Sequence, residues 1–131
     1  MAALVGTWDY VSAEKMDEYM TATAVPDNLK EIIKKSKPTM NISQNGDSWS
    51  LKTTVSDKVE YKTFKVGEEF RSKSLTGQDV QCTVTMDGER MVETQKAGPV
   101  TIVITREVQG DQLVSTMTVG VVTATVYFKR A

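Results

Sequence analysis

From Thr39 to the end, the sequence interrupts itself with turn chemistry roughly every eight to twelve residues, the spacing of an antiparallel barrel or sandwich. Between interruptions, apolar and polar residues alternate, as they do on strands with one buried face. Met40 and Ile42 alternate with Thr39, Asn41 and Ser43 before Asn45-Gly46, a hairpin signal. Trp49, Leu51, Thr53 and Val55 form the next row, and Ser56-Asp57-Lys58 the next corner. In Val59 to Phe64 the alternation slips, so its inward face stays undecided. Later rows are Val80, Cys82, Val84 and Met86 up to Asp87-Gly88, then Met91, Glu93 and Gln95 up to Gly98-Pro99. Ile102, Ile104, Arg106 and Val108 precede Gly110-Asp111; Leu113 to Val119 and Val122 to Phe128 finish the chain. This makes about ten strands joined by tight turns, with no βαβ unit. A sheet of that length closes or folds over to hide its edges. A barrel of about ten strands is wider than the ~8 that side chains alone fill, so a ligand cavity is expected.

Before this run, Leu4 to Val11 reads as a first strand with Gly6, Trp8 and Tyr10 in one phase. From Ser12 the period changes. Met16, Tyr19 and Met20 recur at helical spacing, and Pro26 fits the first turn of a second helix. Val25, Leu29, Ile32 and Ile33 share one side of that helix, while Lys30, Lys34 and Lys37 share another. Two short amphipathic helices over about residues 14–36, inserted at the first strand connection, make a lid for the barrel mouth.

One charged residue stands on an apolar row. At period two, Arg106 shares its face with Ile102, Ile104 and Val108. A guanidinium stays protonated, and burying it costs several kcal/mol unless an anion and enough acceptors meet it. Something acidic should face Arg106, from the protein or from a guest.

The 131 residues form a single domain, 1–131, and the net charge of −1 lacks the basic excess that nucleic-acid binding requires. No run approaches the ~18 apolar residues of a spanning helix. Met1 to Val5 is too short an apolar run for a secretory signal, and the one cysteine, Cys82, cannot form an internal disulfide. The cytoplasm is the expected compartment, with Cys82 as buried filler. Histidine is absent, which removes the usual general base and the commonest metal ligand. An enzyme is not expected, nor a cofactor or metal site.

In order, Gly6-Thr-Trp8, Asp17-Glu18-Tyr19-Met20, Lys37-Pro38, Asn45-Gly46-Asp47, Phe64 to Phe70, Asp87-Gly88, Thr105-Arg106-Glu107, Gly110-Asp111 and Lys129-Arg130 fall at shared positions. In this series the whole chain resembles the intracellular lipid-binding family, the fatty-acid-binding proteins and their retinoid- and bile-acid-binding relatives. The resemblance implies a mainly β fold: a ten-stranded antiparallel up-and-down barrel, the lipocalin-like β-clam, under a helix-turn-helix lid. It also implies a monomeric carrier for a long-chain fatty acid or similar anionic lipid. A retinoid- or bile-acid-like guest is the alternative within the family, and a membrane-organising barrel with incidental lipid the alternative outside it.

Arg106 matches the position where the family holds a ligand carboxylate, with Gln95 beside it. The family's other headgroup pair, an Arg and a Tyr on the last strand, falls at Val126 and Phe128 and is missing. Glu93 departs from the usual neutral residue or histidine. Two readings of Arg106 follow: a carboxylate anchor, favoured by family position and desolvation cost, or an internal ion pair with Glu93. By the same resemblance, tail and portal contacts fall to Met16, Tyr19, Met20, Val25, Leu29 and Ile33 on the lid. On the barrel they fall to Met40, Thr53, Val55, Leu75, Ile104, Ser115, Met117, Val126 and Phe128, and Asp57 replaces a portal Phe. Lys30, Lys34 and Lys37 would meet an anionic membrane surface transiently, the alternative being a solvated helix face.

Overall fold

Alternation and turn chemistry produce the expected strands, which pair only with sequence neighbours except where the first meets the last. The computed structural model describes residues 2–55, 58–73 and 78–131. After a short 3-10 turn at Ala2–Leu4 come β1 (Gly6–Glu14), α1 (Met16–Ala22) and α2 (Asp27–Lys35). Then follow β2 (Thr39–Asn45), β3 (Ser48–Val55), β4 (Lys58–Lys65), β5 (Phe70–Lys73) and β6 (Asp79–Asp87). The chain closes with β7 (Arg90–Ala97), β8 (Val100–Gln109), β9 (Gln112–Val119) and β10 (Val122–Arg130).

All ten strands belong to one antiparallel sheet in the order β4-β3-β2-β1-β10-β9-β8-β7-β6-β5. Pairing of β1 with β10 curls the meander into a barrel. Its two outermost strands, β4 and β5, share no ladder among the described residues. Across that seam Phe64 and Phe70 stack with ring centroids 5.2 Å apart, and the Gly67 N–H donates to the Val84 carbonyl at 2.8 Å.

Turn parity places the core. The lid joins the ends of β1 and β2, so the 45–48, 65–70, 87–90 and 109–112 connections all lie at the opposite end. Leu4, Trp8, Ile42, Trp49, Phe64, Met91 and Leu113 cluster there and are almost fully buried. Each large apolar side chain so buried contributes about 1.5–3 kcal/mol, which makes this end the floor of the barrel. Trp8 Nε1 donates to the Leu4 carbonyl at 3.0 Å, and the Arg130 guanidinium lies 4.2 Å above the Trp8 ring. Arg130 also donates to the Val5 and Ala3 carbonyls at 3.1 and 2.6 Å. Gly6 sits under it at φ 142, where a Cβ would approach Arg130 Nη1 to 2.8 Å. The first residues and the last strand are thus bolted together at the floor.

Several boundaries differ from the sequence reading. β1 continues to Glu14 past a bulge at Val11, because pairing with β10 extends the ladder beyond Ser12. The chain enters α1 through Lys15 in the left-handed region, φ 59. Pro26 is the N-cap of α2 rather than part of its first turn. The hairpin after β2 pairs Asn45 with Ser48, so Gly46 and Asp47 form the loop, with Gly46 at φ 65.

β4 resolves the slipped alternation. Val59 and Tyr61 are 55% and 66% exposed, and Glu60, Lys62 and Phe64 point inward. Two charged residues therefore enter the interior beside Phe64, on a strand whose Val59 and Tyr61 face water.

Candidate functional site

Between the floor and the lid lies a cavity of about 770 Å³. That is within the ~300–1,000 Å³ of small-molecule sites. Most residues expected to touch a guest line it. From the lid these are Met16, Tyr19, Met20, Val25 and Ile33; from β2 and β3, Met40, Thr53 and Val55. Ile104, Ser115, Met117, Val126 and Phe128 line the far wall, with Gln95 and Arg106 between. Leu29 is half-buried but does not reach the cavity, since Ile33, one turn on, occupies the inward face of α2. Ile32, expected on the apolar side, is exposed. Asp57 and Leu75 lie outside the described residues.

Strand alternation brings charge together inside. On β7, Glu93 is directly opposite Ile104 of β8, and Arg106, two residues on, stands diagonally beside it. Its Nη1 donates to Glu93 Oε1 at 2.8 Å. Glu93 Oε2 accepts from Lys62 Nζ at 3.1 Å and from Gln95 Nε2 at 2.6 Å. Glu93 is completely buried and Arg106 is 7% exposed. The acid facing Arg106 is the protein's own. Arg106 and Gln95, expected to meet a guest's carboxylate, both donate to Glu93 instead, because the diagonal register puts that carboxylate within their reach.

Burial alone would raise the Glu93 pKa, but the charges of Arg106 and Lys62, with hydrogen bonds from Gln95 and Arg106, bring it down to about 2. Glu93 is ionised at every ordinary pH. Glu60, half-buried on β4, is pushed above the usual carboxylate range by burial; Lys62 opposes that shift and Glu93 adds to it. Tyr19 reaches the same field from α1. Burial first and the Glu93 charge second raise its hydroxyl to about 12, Arg106 opposing. On β6, Cys82 is fully buried, and burial together with Glu93 lifts its thiol to about 11. It is a packed filler, as expected.

Glu60 and Lys62 had no signal in the hydrophobic pattern, because a strand with Val59 and Tyr61 on its outer face reads as if turned the other way. With Tyr61 in one phase and Phe64 in the other, the pattern was compatible with either orientation. The Lys62–Glu93 contact across the interior, with Phe64 buried beside it, shows which face is inward.

The lid is held unevenly. Met20 of α1 is buried, whereas α2 has no buried residue. Lys34 joins the helices through Asp17 at 3.2 Å. Lys30 donates to Thr21 Oγ1 at 2.9 Å and lies 3.7 Å from Asp27. Lys37 is exposed beyond the end of α2, next to Lys35. Among the described residues, no helix is long and apolar enough to cross a membrane, and no group of acidic, Cys or His side chains is arranged for a metal.

Comparison with known proteins agrees over the full length. Residues 1–131 match the model of the lipocalin / cytosolic fatty-acid binding protein family. The chain is 33% identical over 129 residues to sodium/calcium exchanger regulatory protein 1 of Doryteuthis pealeii, covering 98% of this chain and 97% of that protein. It is 36% identical over 125 residues to fatty acid-binding protein type 2 of Fasciola hepatica, covering 95% of each. The solved structure of a Schistosoma mansoni fatty acid binding protein in complex with arachidonic acid superposes with a TM-score of 0.96 at 32% identity, covering 100% of this chain and 98% of that one. With its meander closed between β1 and β10 and a match from end to end, the chain belongs to the lipocalin / cytosolic fatty-acid binding protein family.

Proposed function

We propose that the protein is a non-enzymatic carrier that holds a long-chain fatty acid in the barrel and works in the cytoplasm as a monomer. The observation that carries this reading is the lidded cavity of about 770 Å³ between an apolar floor and a loosely seated α2. Relatives named for fatty-acid binding, one of them in complex with arachidonic acid, support the choice of guest.

Binding follows from burial. Each methylene transferred from water contributes ~0.8 kcal/mol, so a long acyl chain supplies on the order of 10 kcal/mol gross, less its ordering cost. Micromolar affinity corresponds to about 8.2 kcal/mol. Met16, Met20, Met40 and Met117 give the wall unbranched, polarizable side chains that adapt to a bent chain. Val126 and Phe128 extend the apolar wall on β10, so affinity comes chiefly from the tail. No histidine is available to activate a serine, which favours a carrier over a hydrolase.

Delivery would proceed by brief contact of the mouth with an anionic membrane, through Lys35 and Lys37 more than through Lys30 and Lys34, which are tied to acceptors on the lid.

Mass spectrometry of lipid extracted from purified, denatured protein tests the carrier reading. Stoichiometric fatty acid is expected. Lipid-free protein that also fails to bind added fatty acid would overturn it.

A further inference from the structure

The cavity offers a carboxylate two places, and they differ in what is left to meet it. Among the described residues five cations line it: Arg106 and Lys62 within the barrel, and Lys15, Lys34 and Lys73 at the lid end. The two inner ones are engaged. Arg106 contacts one oxygen of Glu93 at 2.8 Å, and Lys62 the other at 3.1 Å. Arg106 Nε has no partner but is itself buried, so a guest oxygen does not reach it unless the wall moves. Glu60, which also lines the barrel, adds no positive charge in either protonation state. An ionised carboxylate carried to that depth would lose its water without gaining a free counter-charge, a strongly unfavourable exchange.

At the lid end the charged lining is exposed, so a carboxylate there keeps much of its hydration. Lys34 is held by Asp17 at 3.2 Å and Lys73 by Asp79 at 2.9 Å. Lys15 has no ion pair among the described residues. Asp17 and Glu18, the acids that line the cavity from α1, are exposed as well, and water screens all but the closest contacts between such groups. Lys15 is also conformationally marked. It joins β1 to α1 at φ 59 and ψ 27, in the left-handed region that non-glycine residues seldom enter and that clusters at functional positions. Its backbone is thereby fixed at the junction of wall and lid. At the other end, Met40, Leu51, Val126 and Phe128 line the cavity and belong to the floor cluster, so the deep end is apolar.

Resting on the carrier reading above, we propose that a fatty acid lies in this cavity tail first, its methyl end toward the apolar floor and its carboxylate at the lid end, hydrated and paired with Lys15. Glu93 sets that direction, because it occupies the deep cations that would otherwise take the acid end. The barrel then selects its guest by the chain, and the headgroup stays at the mouth.

Hexadecanoic acid labelled with carbon-13 at the carboxyl or at the terminal methyl, bound to the full chain at neutral pH, reads the direction without any variant. An uncharged gadolinium chelate dissolved in the water should broaden the bound carboxyl signal several-fold more than the bound methyl signal. A methyl signal broadened as much or more would overturn the inference and leave the carrier. No bound signal from either label would remove the carrier reading and this inference with it. Lys15→Gly, which suits the left-handed turn and removes the charge, tests the contact. It should weaken hexadecanoate about two- to fivefold, the worth of one exposed ion pair, and leave hexadecanol unchanged, while Lys15→Arg retains both affinities. Equal losses for acid and alcohol, or no loss for the acid, would overturn the assignment of Lys15.

Discussion

Arg106 Nη1 and Glu93 Oε1 lie 2.8 Å apart inside the barrel, on adjacent strands and one diagonal step out of register. The pair, with Lys62 on the second carboxylate oxygen, joins β4, β7 and β8 through the interior. Removing one partner of a buried pair exposes the other to an environment without counter-charge. Glu93→Ala should therefore cost about 3–5 kcal/mol in chemical denaturation, and Glu93→Met with Arg106→Met and Lys62→Met far less. A single variant as stable as the wild type would show that water already compensates these charges.

Acid should weaken the fold through the same residue. The folded pKa of Glu93, about 2, lies below the unfolded value of ~4.3, so its contribution is complete at neutral pH. It is lost as pH falls from about 5 toward 2, where the folded carboxyl at last takes a proton. Glu60 has the opposite sign: with its folded pKa raised, its contribution disappears as pH rises through that value. Denaturation midpoints of the wild type and Glu93→Gln, followed over pH 2 to 7, should converge toward the acid end.

On the lid, stability and kinetics should separate. Ile33 lines the cavity from a helix with no buried residue, so Ile33→Ala should shift the unfolding midpoint little and speed guest release measurably in stopped-flow displacement. Trp49→Ala, on the floor, should instead cost about 3–5 kcal/mol.

Membrane transfer offers a separate check. Lys35→Glu with Lys37→Glu should slow transfer of a fluorescent fatty acid to anionic vesicles several-fold, and added salt should do the same to the wild type. Indifference to both salt and lipid charge would remove the docking proposal.

Much of this molecule was legible before any coordinates. Turn chemistry with alternation marked most of the strands, and the family resemblance pointed to Met40, Ile104, Ser115 and Met117, which line the cavity. What escaped was decided by contacts distant in sequence. Period alone could not orient β4, because Glu60 and Lys62 are satisfied by an interior that other strands supply. The choice between guest and Glu93 as the acid opposite Arg106 depended on register across the 97–100 turn, where Ala97 pairs with Val100. Leu29 and Ile32 share an apolar stripe with Ile33, yet Ile33 alone of the three lines the cavity.

The unlaced junction between β4 and β5 gives the barrel a degree of freedom that a fully bonded cylinder lacks. Elsewhere its circumference is set by backbone rungs, which cannot stretch without breaking. There it is set by stacked rings and by the Lys62–Glu93 contact, which tolerate sliding. Guests of different thickness can be absorbed by widening at that one place, with every ladder intact.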